Sequence, residues 1–299
     1  MIEYSNSDYE NGIEDDFGVV YSKDGSKLMF FTRNVEVYRI KDGTRSICDK
    51  AFYRCYRLKS IYLPDTVTEI GDEVFFECYN LSDIRLSENL TDIGTCAFRD
   101  CKNIKKISLP ESLERLGVSS FNGCVLLDSI DIPTHIIEIP AYAFSGCQSL
   151  KHCSCKYKLK KIGERAFLWC VNLESIIFEQ KEIIWNYPSA LKIHKVPIIS
   201  GIEKYAFEGC TSIKHLELPQ SISFIEKCAF RYCFSLESIS FGDQLEVVHE
   251  LAFSKCVRLK RIIIPADAEK TYAALNAFNR YYTINYRTKE ECDLFETDE

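Results

Sequence analysis

Residues 51–71 read AFYRCYRLKSIYLPDTVTEIG and residues 97–117 read AFRDCKNIKKISLPESLERLG, and the two superimpose position by position. The shared register extends in both directions. Phe52, Phe75, Phe98, Phe121, Phe144 and Phe167 stand 23 residues apart, and after one step of 40, Phe207, Phe230 and Phe253 resume the step of 23. Each is followed three residues later by cysteine: Cys55, Cys78, Cys101, Cys124, Cys147, Cys170, Cys210, Cys233 and Cys256. A fixed period of roughly 20 to 50 residues marks a repeat architecture, in which each unit buries its apolar stripe only by stacking on the next. The chain therefore reads as nine turns of a solenoid.

Within a unit, residues such as Leu58, Ile61 and Leu63 end in a period of two, the pattern of a short strand with one buried face. Pro64, Pro110, Pro133, Pro219 and Pro265 follow that strand, where a missing N–H ends the ladder. The Phe-to-Cys spacing of three predicts a short helical turn. Ile70, Ile93, Leu116 and their equivalents close each unit, with Gly71, Gly94, Gly117 and Gly163 after four of them to allow the corner. Nine parallel strands ~4.8 Å apart predict a sheet roughly 40 Å long.

The ends are irregular. Residues 17–45 predict an N-terminal cap built on a β-hairpin around Asp24 and Gly25, and residues 46–265 the solenoid proper. Residues 266–288 predict a C-terminal cap with helical spacing at Tyr272, Leu275 and Phe278. Outside these lie two acidic ends, expected to be solvated tails: residues 1–16 hold six acids and no Lys or Arg, and residues 289–299 hold six acids and one Lys. The formal charge of -7 thus comes from the ends, and the body between them carries 36 basic against 32 acidic side chains. So balanced a body argues against nucleic acid as a partner. No apolar run long enough to span a membrane and no signal peptide is visible. As written the chain is expected to be cytoplasmic, or at the cell surface or secreted if Met1 is not the native start.

The pattern AFxxCxxLxxIxLPxxVxxIG resembles the BspA-type leucine-rich repeats over about residues 19–280. That resemblance implies a right-handed leucine-rich-repeat solenoid, found in gut and oral bacteria and some protozoa, that binds proteins or host surfaces without catalysis.

On this reading the outward positions of the strands form two rows. The candidate partner-binding residues on them are Tyr62, Arg85, Asp131, His152, His215, Glu217 and Arg261, a mixed set without the aromatic ladder of a glycan platform. The 40-residue step adds 17 residues at about 181–199, with Trp185, Tyr187 and His194 among several Ile and Val. This insertion either packs as an extra degenerate rung or presents Trp185 and Tyr187 to a partner. The leading expectation is a monomeric, non-enzymatic protein-interaction scaffold acting through the sheet face or the insertion; the alternative is a host- or carbohydrate-binding surface adhesin.

Chemistry finds little footing. The ladder cysteines are expected to be buried, reduced, small apolar fillers, because stacked units point their Cβ vectors in parallel. His152, Cys153, Ser154 and Cys155 alone resemble metal ligands, but Cys153 and Cys155 fall on core-facing positions, so no metal and no cofactor is expected. No phosphate-loop, nucleophile-elbow, metalloprotease or dinucleotide motif occurs, and no enzyme is expected.

Overall fold

The computed structural model describes residues 2–156, 159–179, 201–219, 221–242, 244–249, 251–264 and 283–286. Each turn of the chain contributes to three stacked rows, together a parallel β-solenoid of about nine turns. One row consists of two-residue strands. Ser46–Ile47, Glu69–Ile70, Asp92–Ile93 and Arg115–Leu116 pair in parallel, and a second run follows from Glu138–Ile139 through Lys161–Ile162, Gly201–Ile202 and Phe224–Ile225 to Val247–Val248. The other strand row is longer in each rung, and it comes in pieces rather than as the single nine-stranded sheet expected. Val37–Arg39, Ser60–Tyr62 and Asp83–Arg85 form the first piece; Ser129–Ile132, His152–Cys155 and Ser175–Phe178 the second; His215–Glu217, Ser238–Ser240 and Arg261–Ile264 the third. The first break falls at residues 106–108, which lack strand geometry, and the second where the period itself breaks.

The third row carries the Phe and Cys positions, and it is not helical. Tyr53 N–H donates to Lys50 O at 2.9 Å and Cys55 N–H to Phe52 O at 3.0 Å, the start of a tight helix. Lys50 (φ 61°) and Arg54 (φ 57°), however, are left-handed, two residues before and two after Phe52, so the helical path cannot continue. The alternate amides turn outward along the stack: Lys50, Phe52 and Arg54 donate to the carbonyls of Asp72, Val74 and Phe76 at 2.9, 3.0 and 2.8 Å. The same positive φ recurs two residues after every ladder Phe, from Glu77 and Asp100 to Tyr232 and Lys255. A row of turns thereby bonds rung to rung much as a sheet does.

The core is the phenylalanine ladder. Successive rings from Phe52 to Phe253 are stacked 5.1 to 5.7 Å apart, all buried. Phe167 and Phe207, 40 residues apart in sequence, stack at 5.1 Å and 6°, and Lys161–Ile162 pairs directly with Gly201–Ile202. The rungs on either side of the extra 17 residues are therefore immediate neighbours.

Beside the rings the ladder thiols do more than fill space. Cys78, Cys101, Cys124, Cys147, Cys170, Cys210, Cys233 and Cys256 each donate through Sγ to the carbonyl of the Phe one rung earlier, at 3.0 to 3.2 Å. Cysteine at this place combines small volume with one donor. Among the described residues every cysteine is a free thiol. Gly94 answers a different need from the corner expected: a Cβ there would lie 2.4 Å from the backbone C and O of Gly71, so glycine is required by backbone contact between rungs.

Residues 2–16, expected as a solvated tail, are tied to the first rung. Ile2 N–H donates to Asp49 Oδ1 and Asp49 N–H to Ile2 O, both at 2.9 Å, while Tyr4 and Tyr9 pack on Phe30 at 5.6 and 5.7 Å. Asn6–Glu10 is a short helix with a Ser5–Asp8 capping box, and Ile13–Glu14 pairs antiparallel with Val19–Tyr21. The acid density of this stretch hid those aromatic anchors. Val19–Tyr21 in turn pairs antiparallel with Lys27–Phe31, which joins the short-strand row. At the other end, Tyr272, Leu275 and Phe278 lie outside the described residues. Within the span expected to be a helical cap, Thr283–Tyr286 is a strand that adds a parallel rung to Arg261–Ile264, with Thr283, Ile284 and Tyr286 of the types that favour strands.

Candidate binding surfaces

The strand row holds the candidates expected on the sheet face, distributed over its three pieces rather than gathered at one point. Asp131 and His152 lie in the second piece, and His215, Glu217 and Arg261 in the third, all exposed. Neighbouring serines hold the two histidines. His152 Nδ1 meets Ser175 Oγ at 2.9 Å and His215 Nδ1 meets Ser238 Oγ at 2.8 Å, each across one rung.

Tyr62 and Arg85 lie together in the first piece. Arg39, Tyr62 and Arg85 are Cα partners on three consecutive strands, so their side chains leave the same face in file. The Arg39 guanidinium sits over the Tyr62 ring at 4.3 Å, and the Tyr62 hydroxyl donates to Asp83 Oδ2, which raises its own pKa above the usual phenol value. A groove of about 320 Å³ follows, lined by Arg39, Tyr62, Leu63, Pro64, Asp65 and Arg85. Neither arginine forms an ion pair among the described residues, whereas Arg57 and Lys59 nearby both engage Glu36. Arg39, not among the candidates read from the sequence, stands 23 residues before Tyr62, and that one period is the signal that points to it.

Trp185, Tyr187 and His194 lie outside the described residues. The four-residue stretch from His152 to Cys155 alternates as expected: Cys153 and Cys155 are buried with their sulfurs 3.7 Å apart, and His152 points to the opposite face. Histidine and thiols therefore cannot converge on one ion. The sulfur–sulfur hydrogen bond with Cys155 and burial hold the Cys153 thiol well above its usual pKa, so it stays protonated.

The turn row carries a surface that the sequence did not reveal. Trp169 and Tyr232 stack at 6.4 Å and 23°, and Phe234 adjoins Tyr232 at 5.8 Å. Trp169 and Tyr232 come from rungs two apart, leaning over Gly209 between them; a Cβ on Gly209 would lie 2.4 Å from the indole Cε3. The Arg231 guanidinium lies over the Tyr232 ring at 4.4 Å and reaches Glu208 at 3.6 Å. Trp169 is 47% exposed and Phe234 44%. These residues occupy the second and fourth places after the ladder Phe, positions that vary between repeats, so no period announces them.

The family profile described as BspA type Leucine rich repeat region matches residues 26–128, 119–195 and 186–291, in six copies. No curated protein matches the chain. Among solved structures, a leucine-rich cell surface protein from Faecalibacterium prausnitzii is similar at 20% identity, covering 100% of this chain and 98% of that one, with a TM-score of 0.45. A leucine-rich repeat protein from Bacteroides ovatus is similar at 22% identity over 92% of this chain and 97% of its own, with a TM-score of 0.32. One from Eubacterium ventriosum is similar at 15% identity, over 93% and 82%, with a TM-score of 0.48.

Proposed function

We propose, from the premise that this chain belongs to the BspA-type leucine-rich-repeat family, that it is a non-enzymatic scaffold that binds a protein partner through the strand face around Arg39, Tyr62 and Arg85. The observation that carries this reading is the file of two guanidinium groups, neither in an ion pair among the described residues, flanking a tyrosine over a groove. Arginine and tyrosine are enriched among residues that dominate protein interfaces, and the planar guanidinium forks match carboxylates of a partner. Stacking of Arg39 on Tyr62 and the Tyr62–Asp83 bond fix the side chains before binding, which lowers the entropy lost on association. Nothing in this role calls for a metal or a cofactor. Among the described residues no helix is long and apolar enough to cross a membrane.

The test is capture from native extract on immobilised wild type and on an Arg39→Glu, Arg85→Glu variant. Both side chains are exposed, so the variant is expected to melt with the wild type. Partners held by the wild type should be weakened by about tenfold or more, or ~1.4 kcal/mol. The same proteins retained equally by the variant would refute the reading.

A further inference from the structure

We propose that the aromatic surface on the turn row, centred on Trp169, Tyr232 and Phe234, is a second docking site that takes a protein segment in which acidic side chains flank an aromatic or aliphatic one. It goes beyond the strand-face reading and stands on different residues, so either can fail alone.

Exposed tryptophan, tyrosine and arginine in one cluster have the composition of an interface hot spot. Trp169 (φ 58°) and Tyr232 (φ 62°) occupy the left-handed place that Gly123, Gly146 and Gly209 fill in other rungs. Arg54, Glu77, Asp100 and Lys255 hold the same conformation at that place, so the backbone is common to the row, and what sets these two rungs apart is the aromatic ring each presents. Gly209, between them, gives the indole the space it uses.

The surrounding charge sets the chemistry of the partner. Lys255 holds the same register place as Tyr232 one rung further on, and Lys204 and Lys227 are exposed on the rungs of Gly209 and Tyr232. None of the three forms an ion pair among the described residues, and Glu208, next to Gly209, is engaged by Arg231. An apolar centre beside lysines that form no ion pair among the described residues is complementary to an apolar side chain flanked by carboxylates.

The chain has two tryptophans, so Trp185→Phe leaves Trp169 as the only indole and makes its emission a direct report from the site. The probe is a synthetic glutamate-rich peptide with a central Leu-Phe pair, titrated against the full chain. A saturable shift of the emission to the blue is expected, lost when lysine replaces the glutamates or serine replaces Leu-Phe. In the otherwise wild-type chain, Trp169→Gly is followed with fluorescein-labelled peptide. Affinity should fall at least about tenfold without a lower melting temperature, because glycine relieves the left-handed strain. Gly209→Ala, which crowds the indole, should also weaken binding. Unchanged affinity in Trp169→Gly, equal binding of the lysine peptide, or an emission shift with a cello-oligosaccharide but not with the peptide would each overturn the proposal.

Discussion

Raising the pH through the range of roughly 9 to 10 should unfold this protein in one steep step. Burial holds the thiols of Cys55, Cys78, Cys101, Cys124, Cys147, Cys170, Cys210 and Cys233 above their ordinary pKa in the folded chain. In the unfolded chain the same thiols ionise near pH ~8.5. Above that value the unfolded state binds fewer protons than the folded one, so stability falls as pH rises; below it the contribution is fully present. Each thiol that ionises only on unfolding costs about 1.4 kcal/mol per pH unit, and eight together cost on the order of 10 kcal/mol per pH unit, against a total stability of only ~5–15 kcal/mol. Circular dichroism against pH tests this, with Cys124→Ala, Cys147→Ala as the comparison. The double variant should show a shallower pH dependence of unfolding free energy by about two protons' worth, or ~2.7 kcal/mol per pH unit. An identical slope would mean that the thiols do not drive the transition.

Phe121→Ala should lower stability by about 3–5 kcal/mol. The ring is fully buried and stacks on Phe98 at 5.2 Å and 1° and on Phe144 at 5.7 Å and 3°, so one truncation removes contacts on both sides. The site cannot collapse easily, because the backbone of each rung is fixed by bonds to its neighbours: Phe121 N–H to Ala143 O at 2.9 Å and Gly123 N–H to Ser145 O at 2.8 Å. In a solenoid, stability is the sum of rung terms and nearest-neighbour interfaces, and here two interfaces are damaged at once. The melting temperature should fall by roughly 10 °C. A loss under about 1 kcal/mol would show that the rings are not what holds the rungs together.

The ladder residues could be read from sequence because burial against the next rung allows only one residue type per place, and a constraint repeated at fixed spacing is visible in a single chain. The left-handed places could not. Arg54, Glu77 and Asp100 look like ordinary surface residues, and only Gly123, Gly146 and Gly209 at the equivalent place hinted at positive φ. The cysteines were legible as small buried groups but not as donors, since the acceptor is a main-chain carbonyl that any sequence supplies. The breaks in the strand row left no mark in the period either: Lys106–Ser108 matches the repeat as well as its neighbours do. Of the candidate surfaces, Tyr62 and Arg85 followed from strand alternation, because outward positions are set by the period of two. The Trp169 cluster did not, because it joins residues whose contact depends on which rungs are adjacent across the 40-residue step.

That adjacency underlies the whole account, since both the phenylalanine ladder and the Trp169–Tyr232 pair cross it. Deleting residues 181–197 restores the step from Phe167 to the next ladder Phe to 23. Thermal unfolding of this variant, followed by circular dichroism, should show a single cooperative transition at the wild-type midpoint. Two separate transitions, or the loss of one, would contradict a ladder that runs unbroken from Phe52 to Phe253.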